Sequence, residues 1–401
     1  MTTSRLVEIP GEEARLRRKI RRHFKKLNFT KGCDGQLVPP GLDKQAYRDM
    51  HSHQRIAKLT ENRIWIENNA GKLIHHFASG SEVNAKKILP RIEVIKASTW
   101  QSNLFRLASY YWRVPISEGY GRRMRFLVWD DSNEKLIGIF ALGDAVFNLK
   151  ARDEFIGWDH NRRSEALVNL MDAYVLGAVP PYNTILGGKL IASLIQTREV
   201  VNEFHSKYHD SVGLISGESK KARLAAVTTT SALGRSSVYN RLALEGKPIF
   251  IPIGYTSGWG HFHISNELFV ELRNFLKSVG YDDFDSHDYG QGPNYRFRIV
   301  KKAFSILGMR PSLAKHGLNR EVFFCPIATN ALKLLRGESS KVSYSGLSTI
   351  KNRSRSALNR WVIPRTERMP LYRDWHRETF LSLVSLDENS GENVEAQGVA
   401  K

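Results

Sequence analysis

Two apolar runs joined by a polar turn decide the fold class of this chain: Arg125-Phe-Leu-Val-Trp-Asp-Asp-Ser-Asn-Glu-Lys-Leu-Ile-Gly-Ile-Phe-Ala-Leu142. Both runs are rich in β-branched and aromatic residues, and the four residues between them, Asp131 to Glu134, are turn formers. This pattern predicts a β-hairpin.

Helical and strand patterns alternate on the C-terminal side of the hairpin. Hydrophobic periodicity predicts a helix over 162–171, a buried strand over 173–179, a helix over 187–204, a strand over 212–216 and an amphipathic helix over 266–279. Such alternation indicates an α/β or α+β fold, with a mixed central sheet flanked by helices.

The N-terminal part of the chain predicts a basic amphipathic helix from Glu12 to Phe29. Apolar residues recur there every three or four positions, and basic residues surround them. The Gly- and Pro-rich stretch 31–41 then predicts a boundary. We therefore expect four parts: a basic helix and linker (1–41), an α/β core (42–336), a basic C-terminal extension (337–385) and a disordered tail (386–401).

Composition indicates a globular protein, because 41% of the 401 residues are hydrophobic and 10% are aromatic. No stretch approaches the roughly 20 apolar residues of a membrane span, and residues 1–10 lack the apolar core of a secretion signal. We therefore expect a cytoplasmic protein with no membrane partner. Two cysteines, Cys33 and Cys325, are too few for a thiolate zinc site.

Positive charge is concentrated near both ends of the chain, which has a formal net charge of +20. Residues 14–31 contain nine basic and no acidic residues, and residues 336–377 contain ten basic and three acidic ones. Basic surfaces attract polyanions, so nucleic acid is the expected partner. Anionic lipid, an acidic protein or a basic surface that only maintains solubility are the alternatives.

One segment has the composition of an anion-binding turn: Gly177-Ala-Val-Pro-Pro-Tyr-Asn-Thr-Ile-Leu-Gly-Gly-Lys-Leu190. It joins a predicted strand to a predicted helix whose N-terminus presents free N–H groups. We predict that Asn183, Gly187, Gly188 and Lys189 hold a phosphate. The order of elements resembles the coenzyme A site of the Gcn5-related (GNAT-like) acyltransferase fold, so a coenzyme A-type ligand is possible, although no cofactor is required. A tight packing turn is the alternative.

Arginine, hydroxyl and aromatic residues that suit nucleic acid occur in three segments. The predicted nucleic-acid-binding residues are Arg17, Arg18, Arg21, Arg22, Lys25, Lys26, Arg122, Arg123, Arg235, Ser236, Ser237, Tyr239 and Arg241. Turn and helix capping would explain the same hydroxyls. The catalytic residues, if the protein is an enzyme, stay unknown. We predict no metal site, because the carboxylates over 282–288 have no defined ligand spacing.

Several ungapped runs resemble a known family. They are Gly119-Tyr-Gly-Arg-Arg123, Ala141-Leu-Gly-Asp-Ala-Val-Phe-Asn-Leu149, Ile156-Gly-Trp-Asp159, Asp172-Ala-Tyr-Val-Leu-Gly-Ala-Val-Pro-Pro-Tyr-Asn183, Ser231-Ala-Leu-Gly-Arg-Ser-Ser-Val-Tyr-Asn-Arg-Leu242 and Gly258-Trp-Gly-His-Phe-His263. From about Leu16 to Arg336 the chain resembles the DruA family of the Druantia anti-phage defence system. The resemblance implies a defence role together with other Druantia proteins, among them the helicase-like DruE. It implies no catalytic residues.

Three functions follow as competing hypotheses. The preferred one is a nucleic-acid-binding component of a multi-protein antiviral assembly. The second is an acyl-CoA-dependent enzyme that modifies nucleic acid or protein. The third is a scaffold whose basic ends bind acidic partner proteins. We leave open whether the protein is an enzyme.

Overall fold

The structure is a computed structural model that describes residues 10–32, 36–116, 121–210, 221–281 and 295–385. Its contacts divide the chain into two compact units. The first unit contains Met1–Gln54 and Thr256–Arg320, and the second contains Arg55–Tyr255 and Glu321–Lys401. Within the described ranges, no helix has the length and apolar character that a membrane crossing requires.

The strands of the described residues are, in chain order, β1 (Thr30–Lys31), β2 (Leu37–Val38), β3 (Pro90–Val94), β4 (Arg123–Asp130), β5 (Lys135–Asp144), β6 (Leu170–Ala178), β7 (Ala226–Thr230), β8 (Ala243–Leu244), β9 (Lys247–Pro248), β10 (Ile251–Tyr255) and β11 (Glu321–Pro326).

The α-helices of the same residues are α1 (Pro10–Lys26), α2 (Lys44–Glu61), α3 (Arg63–Leu73), α4 (Trp100–Ser109), α5 (Lys150–Ile156), α6 (His160–Ala166), α7 (Gly187–Leu194), α8 (Arg198–Tyr208), α9 (Asn266–Ser278), α10 (Tyr295–Ile306), α11 (Ala331–Arg336), α12 (Ile350–Ala357), α13 (Ile363–Arg368) and α14 (Thr379–Val384).

The second unit is built on a mixed sheet of seven strands, counted over the described residues, in the order β10-β11-β7-β6-β5-β4-β3. The predicted hairpin is confirmed, since β4 and β5 pair antiparallel from Arg123 opposite Gly143 to Asp130 opposite Lys135. β6 and β7 form a parallel pair, and the other neighbouring strands are antiparallel. The predicted mixed α/β architecture is therefore confirmed.

The two faces of this sheet are covered differently. One face, which we call the continuous face, carries a single core cluster that includes Phe126 and Phe140, and α7 and α12 pack on it. The opposite face carries two separate apolar clusters, and we call it the split face. One of its clusters includes Leu127 and Val175, and the other includes Leu170 and Phe324. The alternation of side chains along each strand produces this partition.

Two predicted helices have different bounds in the structure. The predicted helix over 187–204 is two helices, because the chain turns at Thr197, whose hydroxyl donates to the Leu194 carbonyl, and the Arg198 N–H donates to the Ser348 carbonyl. The predicted helix over 162–171 ends at Ala166, and pairing with β5 and β7 makes residues from Leu170 onward a strand. The predicted strand over 212–216 lies outside the described residues.

The C-terminal basic region contributes apolar residues to the second unit. Leu347, Ile350, Leu358 and Trp361 belong to the core of the continuous face, while the basic side chains of Arg355 and Arg360 remain exposed. The four-part division drawn from the sequence stays a prediction, and its proposed tail, 386–401, lies outside the described residues.

In the first unit, the predicted amphipathic helix is confirmed as α1. Leu16, Ile20 and Phe24 are buried on one side of it, and the Phe24 ring stacks at 5.6 Å on the ring of His263. A hydrogen bond of 2.8 Å between His23 Nε2 and the His263 carbonyl also fixes the helix. The apolar stripe therefore anchors α1 and turns its basic residues outward.

Candidate functional site

The basic face of α1 is exposed and largely unpaired. Arg17 donates to Glu13 Oε2 at 2.5 Å, and Lys19 forms an ion pair with Glu271. The other predicted contact residues of this helix are exposed and have no carboxylate partner among the described residues: Arg18, Arg21, Arg22, Lys25 and Lys26. We call these five residues the α1 basic face. Uncompensated exposed cations at helical spacing suit a polyanion.

Several polar groups of the predicted phosphate turn already form hydrogen bonds within the protein. Leu186 adopts a left-handed conformation with φ of 65°, the Gly187 N–H donates to the Tyr182 carbonyl at 2.8 Å, and the Lys189 N–H donates to the Leu186 carbonyl at 2.9 Å. Asn183 donates through Nδ2 to the Tyr111 hydroxyl at 2.7 Å. The space beside Gly188 is open, since a Cβ built there has no neighbour within 4 Å.

The fold brings two separately predicted segments together beside this turn. Lys189 Nζ donates to the Arg241 carbonyl at 3.3 Å and lies 5.6 Å from the Trp361 ring. Burial lowers the pKa of Lys189, and the charges of Arg241 and Arg360 lower it further. We call Lys189, Arg241 and Arg360 the Lys189 cluster; none of the three has a carboxylate partner within the described ranges. The only signal for Arg360 in the sequence is its place in the basic C-terminal region.

The hydroxyl-rich segment has mainly structural contacts. The Ser236 N–H donates to Glu321 Oε2 at 3.1 Å, and the Ser236 hydroxyl accepts the N–H of Tyr239. The Tyr239 ring packs against the rings of Phe250 and Phe323 at 5.0 and 5.1 Å. Arg235 and Ser237 are exposed.

Arg122 and Arg123 differ in their surroundings. Arg122 is largely buried and donates to Asp144 Oδ1 at 2.7 Å and to the Val168 carbonyl at 2.9 Å. Arg123 is exposed, and its backbone is held by the Tyr208 hydroxyl, which accepts the Arg123 N–H and donates to its carbonyl. Arg122 therefore has a structural ion pair, while the Arg123 side chain lies at the surface.

A carboxylate to which the sequence assigned no role lies deep in the sheet. Asp172 of β6 is partly exposed, and its Oδ1 accepts the Thr228 hydroxyl at 2.8 Å. Burial raises the pKa of Asp172 to about 6, although the Thr228 hydrogen bond and the charge of Arg152 lower it. A partly accessible group with such a pKa is typical of functional sites. An aspartate within an apolar strand run was the available sequence signal.

Metal ligands are not clustered in the part of the chain that the structure describes. Within the described ranges, no three His, Cys, Asp or Glu side chains are grouped so that they could hold a metal ion. The carboxylates over 282–288 lie outside those ranges.

Comparison with known proteins identifies the family. The family model described as "Druantia protein DruA" matches residues 41–337. The chain belongs to the DruA family. It is 49% identical over 382 residues to the Druantia protein DruA of Escherichia coli (strain UMEA 4076-1), with 95% of each chain covered. This DruA-family membership confirms the resemblance and supports a role in anti-phage defence within the Druantia system. No solved structure matches the chain, so the acyltransferase-like core stays a prediction.

Proposed function

We propose that this DruA-family protein contributes to anti-phage defence by binding nucleic acid, with the α1 basic face as its main contact. The observation that carries the proposal is the arrangement of α1: three buried apolar residues fix the helix, and five exposed cations project from it without carboxylate partners among the described residues. Each cation that neutralises a phosphate releases counterions, which makes binding favourable and salt-dependent.

The test is the salt dependence of binding to labelled duplex and single-stranded DNA. Each lost phosphate contact lowers the slope of log K against log salt by about 0.9 on duplex DNA, so loss of five contacts lowers it by up to about 4.5. The test variant replaces the α1 basic face with glutamine, which has good helix propensity. The changes are Arg18→Gln, Arg21→Gln, Arg22→Gln, Lys25→Gln and Lys26→Gln.

A matched control removes five exposed cations that lie in the second unit, outside α1 and the Lys189 cluster: Lys72→Gln, Lys86→Gln, Lys87→Gln, Lys96→Gln and Lys333→Gln. The net charge of the two variants is the same. We expect the control to retain most of the affinity and slope, and the α1 variant to lose them. Equal losses would show that only net charge matters, and an unchanged α1 variant would refute the assignment to this helix.

A coenzyme A-type ligand is the second candidate, and the Lys189 cluster favours it. Lys189 follows Gly188, where the space is open, and the charges of Arg241 and Arg360 act on Lys189. Three such cations without carboxylate partners among the described residues would suit a pyrophosphate. We expect coenzyme A to raise the melting temperature and Gly188→Glu to abolish that shift, because it places a carboxylate beside the anion. Lys189→Ala would leave DNA binding by the α1 basic face unchanged. Absence of any shift with coenzyme A or an acyl-CoA would reject an acyltransferase.

We also propose that the protein acts in the cytoplasm, within a multi-protein Druantia assembly that includes the helicase-like DruE. The family membership supports it, because the matched family is named as a Druantia component. Co-purification of the co-expressed proteins tests the assembly. Persistence of the complex after nuclease treatment would indicate direct protein contacts and favour the scaffold hypothesis, whereas dissociation would indicate that nucleic acid links the proteins.

A further inference from the structure

A strip of polar residues separates the two apolar clusters of the split face. Along β6, the cluster that includes Leu170 lies before the strip, and the cluster that includes Val175 lies after it. Between them β4, β6 and β7 present charged, hydroxyl and aromatic side chains. We call these residues the polar strip: Arg123, Arg125, Asp172, Tyr174, Thr228 and Thr230.

The strip is continuous across neighbouring strands. Arg123 is the register partner of Gly143, Gly143 of Asp172, and Asp172 of Thr228. The row therefore crosses β4, β5, β6 and β7, which at ~4.8 Å per strand spacing is about 14 Å. Gly143 has no side chain, so the surface of the row is recessed at β5.

Tyr174, the aromatic residue of the polar strip, lies over Gly143. β6 has a bulge at Tyr174, because Ala173 pairs with Leu142 and Val175 pairs with Ala141. A Cβ built on Gly143 would lie 3.1 Å from the Tyr174 ring, so the ring packs directly over the glycine. Bulges of this kind change the direction of a side chain near functional sites. Tyr174 remains partly exposed, as do Asp172 and Arg125.

The strip has the three chemical groups that a nucleotide requires. Arg125 is a cation whose guanidinium lies 5.7 Å from the Phe105 ring, and no carboxylate partner is found for it in the described part of the chain. Tyr174 provides an aromatic surface, and one carboxylate oxygen of Asp172 remains available once Oδ1 has accepted the Thr228 hydroxyl. Guanidinium groups bind phosphate, aromatic rings stack on bases, and carboxylates accept N–H and O–H donors.

We propose that the polar strip is a nucleotide-binding site, in which Arg125 contacts the phosphate, Tyr174 the base and Asp172 an N–H or O–H donor of the base or sugar. The site lies in the second unit and is separate from the α1 basic face. The ligand is either a free mononucleotide or one nucleotide of a single strand, and these two sources share the same chemistry.

The test measures binding of the four deoxynucleoside 5′-monophosphates and of a short single-stranded oligonucleotide by calorimetry at low salt, where the contact between Arg125 and phosphate is not screened. The glutamine variant of the α1 basic face is measured beside the wild type, so that phosphate contacts on α1 are told apart from those of the strip. We expect at least one probe to bind and inorganic phosphate not to bind, since phosphate alone lacks the base. Asp172→Asn and Arg125→Met should each weaken binding by about tenfold or more, because each removes a charge-assisted hydrogen bond. The control is Arg91→Met, which removes an arginine of the same sheet that lies on β3, outside the strip, and this variant should bind as the wild type does.

The outcomes separate the two proposals. Binding of a monophosphate identifies a free nucleotide as the ligand, and binding of the oligonucleotide alone identifies a strand; either supports the site if Asp172→Asn weakens it. The glutamine variant of the α1 basic face should retain monophosphate binding. If no probe binds, or if Asp172→Asn and Arg125→Met are folded, with a cooperative thermal transition, and bind as the wild-type protein does, the nucleotide site is wrong, whether or not α1 binds DNA.

Discussion

Replacing Asp172 with asparagine should make the protein more stable at neutral pH and remove one component of its pH dependence. Burial raises the pKa of Asp172 to about 6 from 3.8. The folded protein therefore retains this proton up to a higher pH than the unfolded chain. The contribution of Asp172 to stability therefore falls as pH rises from about 4 to about 7, and the loss then stays constant. The charged group that faces Asp172 is Arg152, and Tyr239 also lies close enough to interact with it.

The magnitude follows from the pKa difference of about two units. At ~1.36 kcal/mol per unit the ionised Asp172 costs about 3 kcal/mol of unfolding free energy at neutral pH. Asparagine has no proton to lose and still offers Oδ1 to the Thr228 hydroxyl. The variant should therefore exceed the wild type by up to about 3 kcal/mol above pH ~7 and approach it near pH ~4.

Urea unfolding over a pH series, followed by tryptophan fluorescence, measures this difference. The signal reports mainly on the second unit, because Trp259 alone of the eight tryptophans belongs to the first unit. Asp131→Asn, which removes the exposed partner of Arg91, is the control and should change stability by less than about 1 kcal/mol. If Asp172→Asn and the wild type differ by the same amount at every pH, the argument from burial is refuted.

Two further predictions concern packing and buried histidines. Gly177→Ala places a Cβ 2.5 Å from the Trp112 ring and should lower the free energy of unfolding in urea by about 1–3 kcal/mol. Gly71→Ala, at an exposed helix position with open space, should raise it by up to about 1 kcal/mol. Equal effects of the two substitutions would contradict the close packing of Gly177 against Trp112. In the first unit, burial lowers the pKa of His263 to about 4 and of His316 to about 2, so the unfolded chain takes up protons first and stability falls as pH drops below about 6.5. An NMR titration of either ring near pH ~6.5 would contradict this.

Local patterns in the sequence were sufficient to predict features that depend on a single helix or hairpin. The hairpin of β4 and β5 follows from two apolar runs and a polar turn, and the burial of one side of α1 follows from the spacing of Leu16, Ile20 and Phe24. The family could also be identified from ungapped runs of sequence. These features depend on residues that are close in the chain.

The tertiary structure decided which distant residues meet. The interruption of the predicted helix at Thr197 depends on Ser348, about 150 residues away, and the contact of Lys189 with Arg241 depends on how two segments pack. Asp172 fell between the predicted helix over 162–171 and the predicted strand over 173–179, and its place in β6, next to Gly143 and Thr228, followed only from the pairing of β6 with β5 and β7. Periodicity shows which face of a helix or strand is apolar. It does not show which element packs against that face. The desolvation that raises the pKa of a carboxylate there is therefore determined only by the packing of the chain.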